Sequence, residues 1–189
     1  VRTSDVVAAK LAEWGIPVHR GLGTTGVVGI VHGRDGGACG RAIGLRADMD
    51  ALPMQEHNHF DHASQHAGKM HACGHDGHTA MLLAAAQHLA QHGRFDGTLN
   101  LIFQPAEEVN PGGALTVIAN GALDDVERAY ALHCDPSRDV GVVGIRGGPI
   151  TSASDSVVVR LDGAGGHTSR PHVTQDLVFA LAQVVTQVP

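Results

Sequence analysis

Apolar residues recur every three or four positions in two stretches of the chain, and this spacing predicts amphipathic helices over residues 4–14 and 79–92. A continuous apolar run predicts another helix over residues 177–188, and a short helix is predicted over residues 115–119. The second stretch is the clearest helix of the chain. Its apolar side consists of Met81, Leu82, Ala85, Ala86 and Leu89.

Five shorter runs, rich in β-branched and other apolar residues, predict strands. They cover residues 27–31, 42–47, 99–103, 128–132 and 156–161. The polar, histidine-rich stretch at residues 55–70 has no period and is predicted to be a loop. Because strands and helices alternate, we predict the α/β fold class, with a sheet covered by helices on both faces.

The pattern changes near residue 152, where a new strand, a glycine-rich turn and an apolar helix follow one another. We therefore predict one domain over residues 1–152 and the start of a second over residues 153–189. One strand and one helix are too small a core for an independent domain, so the second is expected to be incomplete.

The composition and charge argue against some classes of binding partner. The 189 residues carry a net charge of -6 without a basic block, which argues against nucleic acid or an anionic membrane surface. No apolar run approaches the roughly 20 residues of a membrane span. Three widely spaced cysteines do not form a disulfide framework, so a cytoplasmic location is expected. Cys73 is a candidate ligand, whereas Cys39 and Cys134 are predicted to be small buried or half-buried side chains.

Acidic and histidine residues follow three of the predicted strands. Asp48 and Asp50 come after the second, Glu107 and Glu108 after the third, and His133 after the fourth. Ligands of α/β sheets bind outside the carboxyl ends of the strands, so these side chains mark a candidate site. For each carboxylate pair a simpler interpretation stays open, namely turn chemistry for the aspartates and a solvated acidic pair for the glutamates.

The run from His71 to His78 adds sulfur and nitrogen ligands. In an extended segment His71, Cys73 and His75 project to one side, although a histidine-rich surface loop is the alternative. Cys73, His75, Glu108 and His133 together form a ligand set that suits Zn, Mn, Co or Ni. Of two adjacent glutamates, one can bind metal while the other acts as a general base.

Five motifs occur in order along the chain, at residues 46–53, 71–78, 104–108, 131–133 and 163–172. Together they resemble the M20 metallopeptidases, in particular the amidohydrolase branch that contains hippurate hydrolases, N-acyl-amino-acid amidohydrolases and auxin-conjugate hydrolases. The resemblance implies a catalytic domain of the zinc-exopeptidase type, with a mixed, largely parallel sheet. It also implies a smaller α+β satellite domain that commonly mediates homodimerisation.

The resemblance further implies a role for each site residue. Cys73 corresponds to a ligand that bridges two divalent ions (Zn, Mn, Ni or Co), and three residues correspond to the further ligands. These are His75, Glu108 and His133. Glu107 corresponds to the base that activates water, and Asp50 to a support behind a ligand. His167 corresponds to a histidine that reaches the scissile carbonyl, often in the partner subunit. His71, His78, His172 and the loop histidines are not expected to be ligands.

The implied reaction is hydrolysis of the amide of an N-acyl amino acid to a carboxylic acid and a free amino acid. The family supplies a further metal-binding histidine from beyond the satellite domain, and no such position occurs in these 189 residues. We therefore expect part of the catalytic domain to be absent. Two alternatives stay open: a non-catalytic metal-binding or dimerisation fragment, and a thiol hydrolase that uses Cys73 as nucleophile.

Overall fold

The computed structural model describes residues 1–152 and 155–188. They divide into two compact units, the first over residues 1–140 and the second from Gly141 onward, and each is described by itself. The predicted second domain starts at residue 153, which lies outside the described residues, so the boundary at residue 152 stays a prediction.

In the first unit three strands follow the first helix, and from the third strand onward strands and helices alternate, as predicted. In order, its elements are α1 (Arg2–Glu13), β1 (Val18–Leu22), β2 (Gly26–His32), β3 (Ala42–Asp48), α2 (His75–His92), β4 (Thr98–Gln104), α3 (Gly113–Ala119) and β5 (Val126–Ala131). The histidine-rich stretch at residues 55–70 is a loop, with one isolated bridge between Leu52 and Met70. β1 was not predicted, because its sequence, Val-His-Arg-Gly-Leu, lacks an apolar alternation.

The five strands of the described residues form one mixed sheet in the order β1-β2-β4-β3-β5. β1 and β2 pair antiparallel, as do β2 and β4. β3 lies between β4 and β5 and is parallel to both. The carboxyl ends of β3, β4 and β5 therefore meet at one edge of the sheet.

Apolar side chains of β4 alternate between two cores, one on each face of the sheet. Leu99, Leu101 and Phe103 pack with the buried faces of α1 and α2. Ile102 points to the other face, where it packs with Val117 of α3. This confirms a sheet with helices on both faces, and the mixed α/β fold class. Among the described residues, none of the helices combines the length and apolar character that a membrane span needs.

The second unit contains a 3-10 turn at Pro171–Val173 and helix α4 (Leu177–Gln187), which Asp176 caps by accepting a hydrogen bond from the Phe179 backbone N–H at 2.9 Å. The strand predicted over residues 156–161 is wrong for this structure, because residues 155–161 adopt no regular secondary structure. Val157 and Val158 are 82% and 93% exposed. An apolar β-branched run becomes a strand only when another strand pairs with it.

Candidate metal centre

The candidate site lies at the edge of the sheet where three strands end. Asp48 is the last residue of β3, Glu107 and Glu108 follow β4, and His133 follows β5. Helix α2 begins at the same edge with His75, whose ring lies near the carboxylates of β3 and β4. Four segments that are distant in sequence are thus brought together by the topology of the sheet.

Two tight backbone turns bring these side chains into position. Gly74, immediately before α2, has a φ of 84°, a left-handed conformation that glycine adopts without a Cβ penalty. Ala106 has a φ of 54°, which is costly for a residue with a Cβ, and its carbonyl accepts a hydrogen bond from the Gly113 N–H at 2.8 Å. Glu107 and Glu108 directly follow Ala106, and their carboxylates lie 3.9 and 3.7 Å from Nε2 of His75, the first residue of α2.

The imidazole of His75 is 1% exposed. Among the described residues, no hydrogen-bond donor reaches its Nε2. Nδ1 lies 2.9 Å from the backbone oxygen of Asp50, and a carbonyl can only accept, so Nδ1 carries the proton. In the neutral ring Nε2 therefore presents a lone pair. It faces carboxylate oxygens of Asp48, Glu108 and Glu107 at 3.6, 3.7 and 3.9 Å. Within the described part of the chain, neither Nε2 nor Glu108 Oε1 has a hydrogen-bond partner.

This arrangement fits a cation. A buried lone pair that faces three anionic groups without a proton between them is unfavourable, and a positive ion removes the conflict. Cys73 completes the set, because ligand atoms of Cys73, His75 and Glu108 all lie within 4.8 Å of one another. Thiolate, imidazole and carboxylate are ligands for Zn and neighbouring first-row ions.

His133 approaches the same sulfur from β5. Its Nδ1 lies 2.8 Å from the backbone oxygen of Cys134 and must donate to it, so Nε2 of the neutral ring is an acceptor. It accepts a hydrogen bond from the Cys73 thiol, with 3.4 Å between Nε2 and Sγ. Of the four residues predicted as ligands, His75 and Glu108 thus lie within 4.8 Å of a Cys73 ligand atom, and His133 contacts the Cys73 sulfur directly.

In the metal-free centre Cys73 is a poor nucleophile. Burial and the negative charges of Glu108, Glu107 and Asp48 raise the pKa of its thiol to about 11. Catalytic cysteines need a lowered pKa, which argues against the thiol-hydrolase alternative. A bound cation would favour the thiolate, because a coordinating thiol is deprotonated.

Asp48 is 2% exposed and is held by charged and polar donors. Arg46 Nη1 donates to its Oδ2 at 2.7 Å, His78 Nδ1 donates to its Oδ1 at 2.7 Å, and the Thr79 hydroxyl donates to its backbone oxygen at 2.9 Å. Burial opposes ionisation of Asp48, but the hydrogen bond from His78 and the charge of Arg46 outweigh burial and hold its pKa below the usual value. Asp48 is therefore anionic at neutral pH.

Asp50 lies beside His75, one of the predicted ligands. Its Oδ1 is 3.4 Å from His75 Nδ1, and its Oδ2 accepts a hydrogen bond from the backbone N–H of Glu108 at 3.0 Å. Asp50 thus contacts the segments that carry two predicted ligands. Its role as a support behind them stays a prediction.

The remaining predicted residues lie away from this cluster or outside its unit. His167 is an exposed residue of the second unit, where its Nδ1 accepts a hydrogen bond from the Ser169 backbone N–H at 3.2 Å. The loop histidines are all exposed, and among the described residues they belong to no group of three metal-ligating side chains. They are His57, His59, His62 and His66.

Several residues of the site were not assigned a role from the sequence. Arg46 and Thr79 bind Asp48, and His78 connects Asp48 to the chain after His133. Arg46 and His78 lie within two of the five motifs and Thr79 directly follows one of them, which was the only available signal. Cys39 and Cys134 are exposed, so the prediction that they are buried or half-buried was wrong. Loop residues at a sheet edge stay accessible even when their backbone is part of a site.

Residues 44–188 match peptidase family M20/M25/M40. A Rhodococcus jostii protein with the provisional name glutamate–cysteine ligase 2-3 is 49% identical over 98% of this chain and 23% of its own length. An N-acyl-L-amino acid amidohydrolase from Geobacillus stearothermophilus is 46% identical over 78% of this chain and 40% of its own. Hippurate hydrolase from Campylobacter jejuni is 41% identical over 97% and 47%. The chain thus spans less than half the length of each of these relatives.

A solved structure agrees with the fold. A Bacillus subtilis protein, described as a dinuclear metal-binding peptidase from the M20 family, has a TM-score of 0.73 and 39% identity. The match covers 79% of this chain and 41% of that one.

Proposed function

The chain belongs to peptidase family M20/M25/M40, and from this premise we propose that it acts in a metal-dependent amidohydrolase. The proposed reaction splits the amide bond of an N-acyl amino acid into a carboxylic acid and a free amino acid. One observation supports it above the others: the buried Nε2 lone pair of His75 faces three carboxylates without a donor between them.

Cys73, His75, Glu108 and His133 would hold two divalent ions, with Cys73 as the shared ligand. Zn, Mn, Ni and Co all accept such a mixed set of ligands, and availability selects among them. When bound, the ions would polarise the scissile carbonyl and lower the pKa of the attacking water. The backbone oxygen of Asp50 supports this assignment, because it fixes the His75 tautomer that leaves Nε2 free.

Glu107 is the proposed general base. Its side chain is 41% exposed, so it can reach a substrate, and its Oε2 lies 3.9 Å from His75 Nε2, at the rim of the ligand cluster. It would take a proton from the attacking water and deliver it to the leaving amine nitrogen. Glu108 is more deeply buried and would serve as a ligand.

His167 is proposed to stabilise the negative charge that develops on the carbonyl oxygen. The backbone N–H of Ser169 donates to His167 Nδ1, so the proton of the neutral ring is on Nε2. An exposed Nε2–H is the donor that an oxyanion requires. Homodimerisation through the second unit, and a cytoplasmic location, complete the proposal.

The names of two relatives support the proposed substrate class. One is an N-acyl-L-amino acid amidohydrolase and another a hippurate hydrolase, so acylated amino acids are the first substrates to test. The short coverage of these relatives favours a second candidate, in which this chain binds metal or dimerises but does not turn over substrate on its own. Such a fragment would hold no more than one metal tightly and would hydrolyse nothing under any metal supplement.

The test replaces Glu107 by Gln and measures metal content together with hydrolysis of hippurate and N-acetyl amino acids in the presence of Zn²⁺, Mn²⁺ or Co²⁺. We expect metal content to be unchanged and turnover to fall by about 10²–10⁴-fold, because the base is lost while the ligands stay. Glu127→Gln is the matched control, since Glu127 is a glutamate of β5 that accepts a hydrogen bond from Arg41 at 3.4 Å. Near-normal turnover by Glu107→Gln would contradict the proposed base.

A further inference from the structure

His78 lies one helical turn after His75 on α2, and its ring is 3% exposed. Both of its nitrogens have partners. The backbone N–H of Cys134 donates to Nε2 at 2.8 Å, so Nε2 is an acceptor and the proton of the ring is on Nδ1. Nδ1 then donates to Asp48 Oδ1 at 2.7 Å. His78 therefore differs from His75, whose Nε2 has no hydrogen-bond partner among the described residues, and from His133, whose Nε2 contacts the Cys73 thiol.

The residue that His78 binds is the neighbour of a proposed ligand. The backbone N–H of Cys134 is held by His78, and its backbone oxygen accepts the Nδ1–H of His133 at 2.8 Å. The same peptide segment thus sets the orientation of the His133 ring, which places Nε2 3.4 Å from Cys73 Sγ. Asp48, itself held by Arg46, is the fixed end of this series of contacts.

We propose that Asp48 and His78 form a positioning pair, which orients the metal ligand His133 through the backbone of Cys134. The proposal rests on the metal centre described above and adds to it the residues that hold one ligand in place. His78 touches no reacting atom, so it is a positioning residue. Partners that orient a metal-binding histidine typically change metal affinity by about 10–100-fold when they are removed.

A competing assignment makes His78 a ligand, because ligand atoms of Asp48, His75 and His78 also lie within 4.8 Å of one another. The hydrogen bonds argue against it. Nε2 of His78 already accepts from a backbone N–H, and Asp48 Oδ2 already accepts from Arg46. Binding metal through Nε2 of His78 would break its bond to Cys134 and leave that backbone N–H without its partner.

The first experiment compares two replacements of similar polarity. Asn at position 78 can keep a donor to Asp48 but is too short to reach the Cys134 N–H, whereas Gln extends far enough to accept from it. We expect Co²⁺ affinity, measured by titration of the visible absorption of the ion, to fall by about 10–100-fold in His78→Asn and by less in His78→Gln. His88→Asn, at an exposed position of the same helix, is the control and should match the unaltered chain.

The second experiment is a double-mutant cycle with His133→Ala. If His78 acts through His133, then adding His78→Asn to His133→Ala should change Co²⁺ affinity by less than about twofold. If His78 binds metal by itself, the two losses should instead add, and the proposal is overturned. A failure of the unaltered chain to bind Co²⁺ would overturn the metal centre itself and the positioning role with it.

A readout that needs no variant is the protonation of the ring, observed in long-range ¹H–¹⁵N NMR spectra. We expect Nδ1 of His78 to be protonated and Nε2 unprotonated without metal, and both signals to persist when Zn²⁺ is added. The Nε2 signals of His75 and His133 should shift on the same addition. Protonation on Nε2 of His78, or a shift of that nitrogen with Zn²⁺, would refute the positioning role.

Discussion

Cys73 illustrates how neighbouring residues decide the chemistry of a side chain. The same thiol would be a nucleophile beside positive charge and is a weak acid here, because it is half-buried beside the carboxylates of Glu108, Glu107 and Asp48. Those carboxylates favour the neutral thiol only while no cation lies between them. The site is therefore suited to metal binding and unsuited to nucleophilic catalysis by sulfur.

We predict that Cys73 of the metal-free chain reacts slowly with iodoacetamide at pH 8. Its pKa of about 11 leaves little thiolate at that pH, and the rate should rise roughly tenfold per pH unit towards pH 11. Replacing Glu108 by Gln removes a negative neighbour, lowers the pKa of the thiol and should accelerate alkylation. Peptide mass spectrometry of a time course in the presence of a chelator measures the rate separately for each cysteine.

Glu127→Gln serves as the control for this comparison, because Glu127 is not among the groups that raise the pKa of Cys73. Cys39 and Cys134 are exposed in the same chain and provide internal references for accessibility. Rapid alkylation of Cys73 at pH 8, unchanged by Glu108→Gln, would mean that the carboxylates do not control the thiol.

The residues that meet at the sheet edge could be named from the sequence, whereas the contacts that hold them could not. Cys73, His75, Glu108 and His133 could be named from residue type and from motifs at strand ends. The partnership of His78 with the Cys134 backbone could not, because the residue type of position 134 does not enter a bond made by its N–H. Exposure of Cys134 was likewise set by the path of the loop after β5, which no local pattern encodes.

At the scale of elements, the junction between Cys73 and α2 depends on one glycine. Gly74 has a φ of 84°, and a Cβ at this position would lie 3.2 Å from Cys134 Cβ and 3.4 Å from its Sγ. An alanine would therefore meet both backbone strain and a close contact. Because Gly74 separates Cys73 from His75, any adjustment moves two predicted ligands.

We predict that Gly74→Ala lowers the free energy of unfolding by more than the about 1–2 kcal/mol expected for the left-handed conformation alone. Gly15→Ala isolates that backbone cost, since Gly15 has a φ of 73° and an added Cβ would meet nothing within 4 Å. Co²⁺ affinity should fall at least about tenfold in Gly74→Ala and stay unchanged in Gly15→Ala. Urea titrations and Co²⁺ titrations measure the two effects. Equal results for both alanines would contradict a special role for Gly74.

Elements with a clear period were predictable, and elements defined by their partners were not. The apolar face of α2 and the buried runs of β2 and β4 could be identified from local pattern, because burial imposes that pattern. β1 is an edge strand whose residues are mostly exposed, so its pairing with β2 requires no apolar pattern in its sequence. Residues 156–161 have the opposite property, since their composition favours a strand but the described structure gives them no regular element.

At the scale of the whole molecule, all four proposed ligands and the proposed base belong to the first unit, whereas His167 belongs to the second. Metal binding and assistance at the carbonyl oxygen are thus assigned to different units. The ligands come from chain positions 73 to 133, so an ion would connect the start of α2 with the segments that follow β4 and β5. Such a connection should stabilise the folded first unit.

The single tryptophan makes this stabilisation measurable in the first unit alone. Trp14 packs against the core formed by α1, α2 and the sheet, so its fluorescence reports unfolding of that unit. We predict that Zn²⁺ at about 100 times its dissociation constant raises the free energy of unfolding by about 2.7 kcal/mol per site, less any affinity for the unfolded chain. His75→Ala should abolish the gain, and a chelator should reverse it. If elemental mass spectrometry finds bound zinc while the Trp14 transition does not move, then the ligands are not those of the folded first unit.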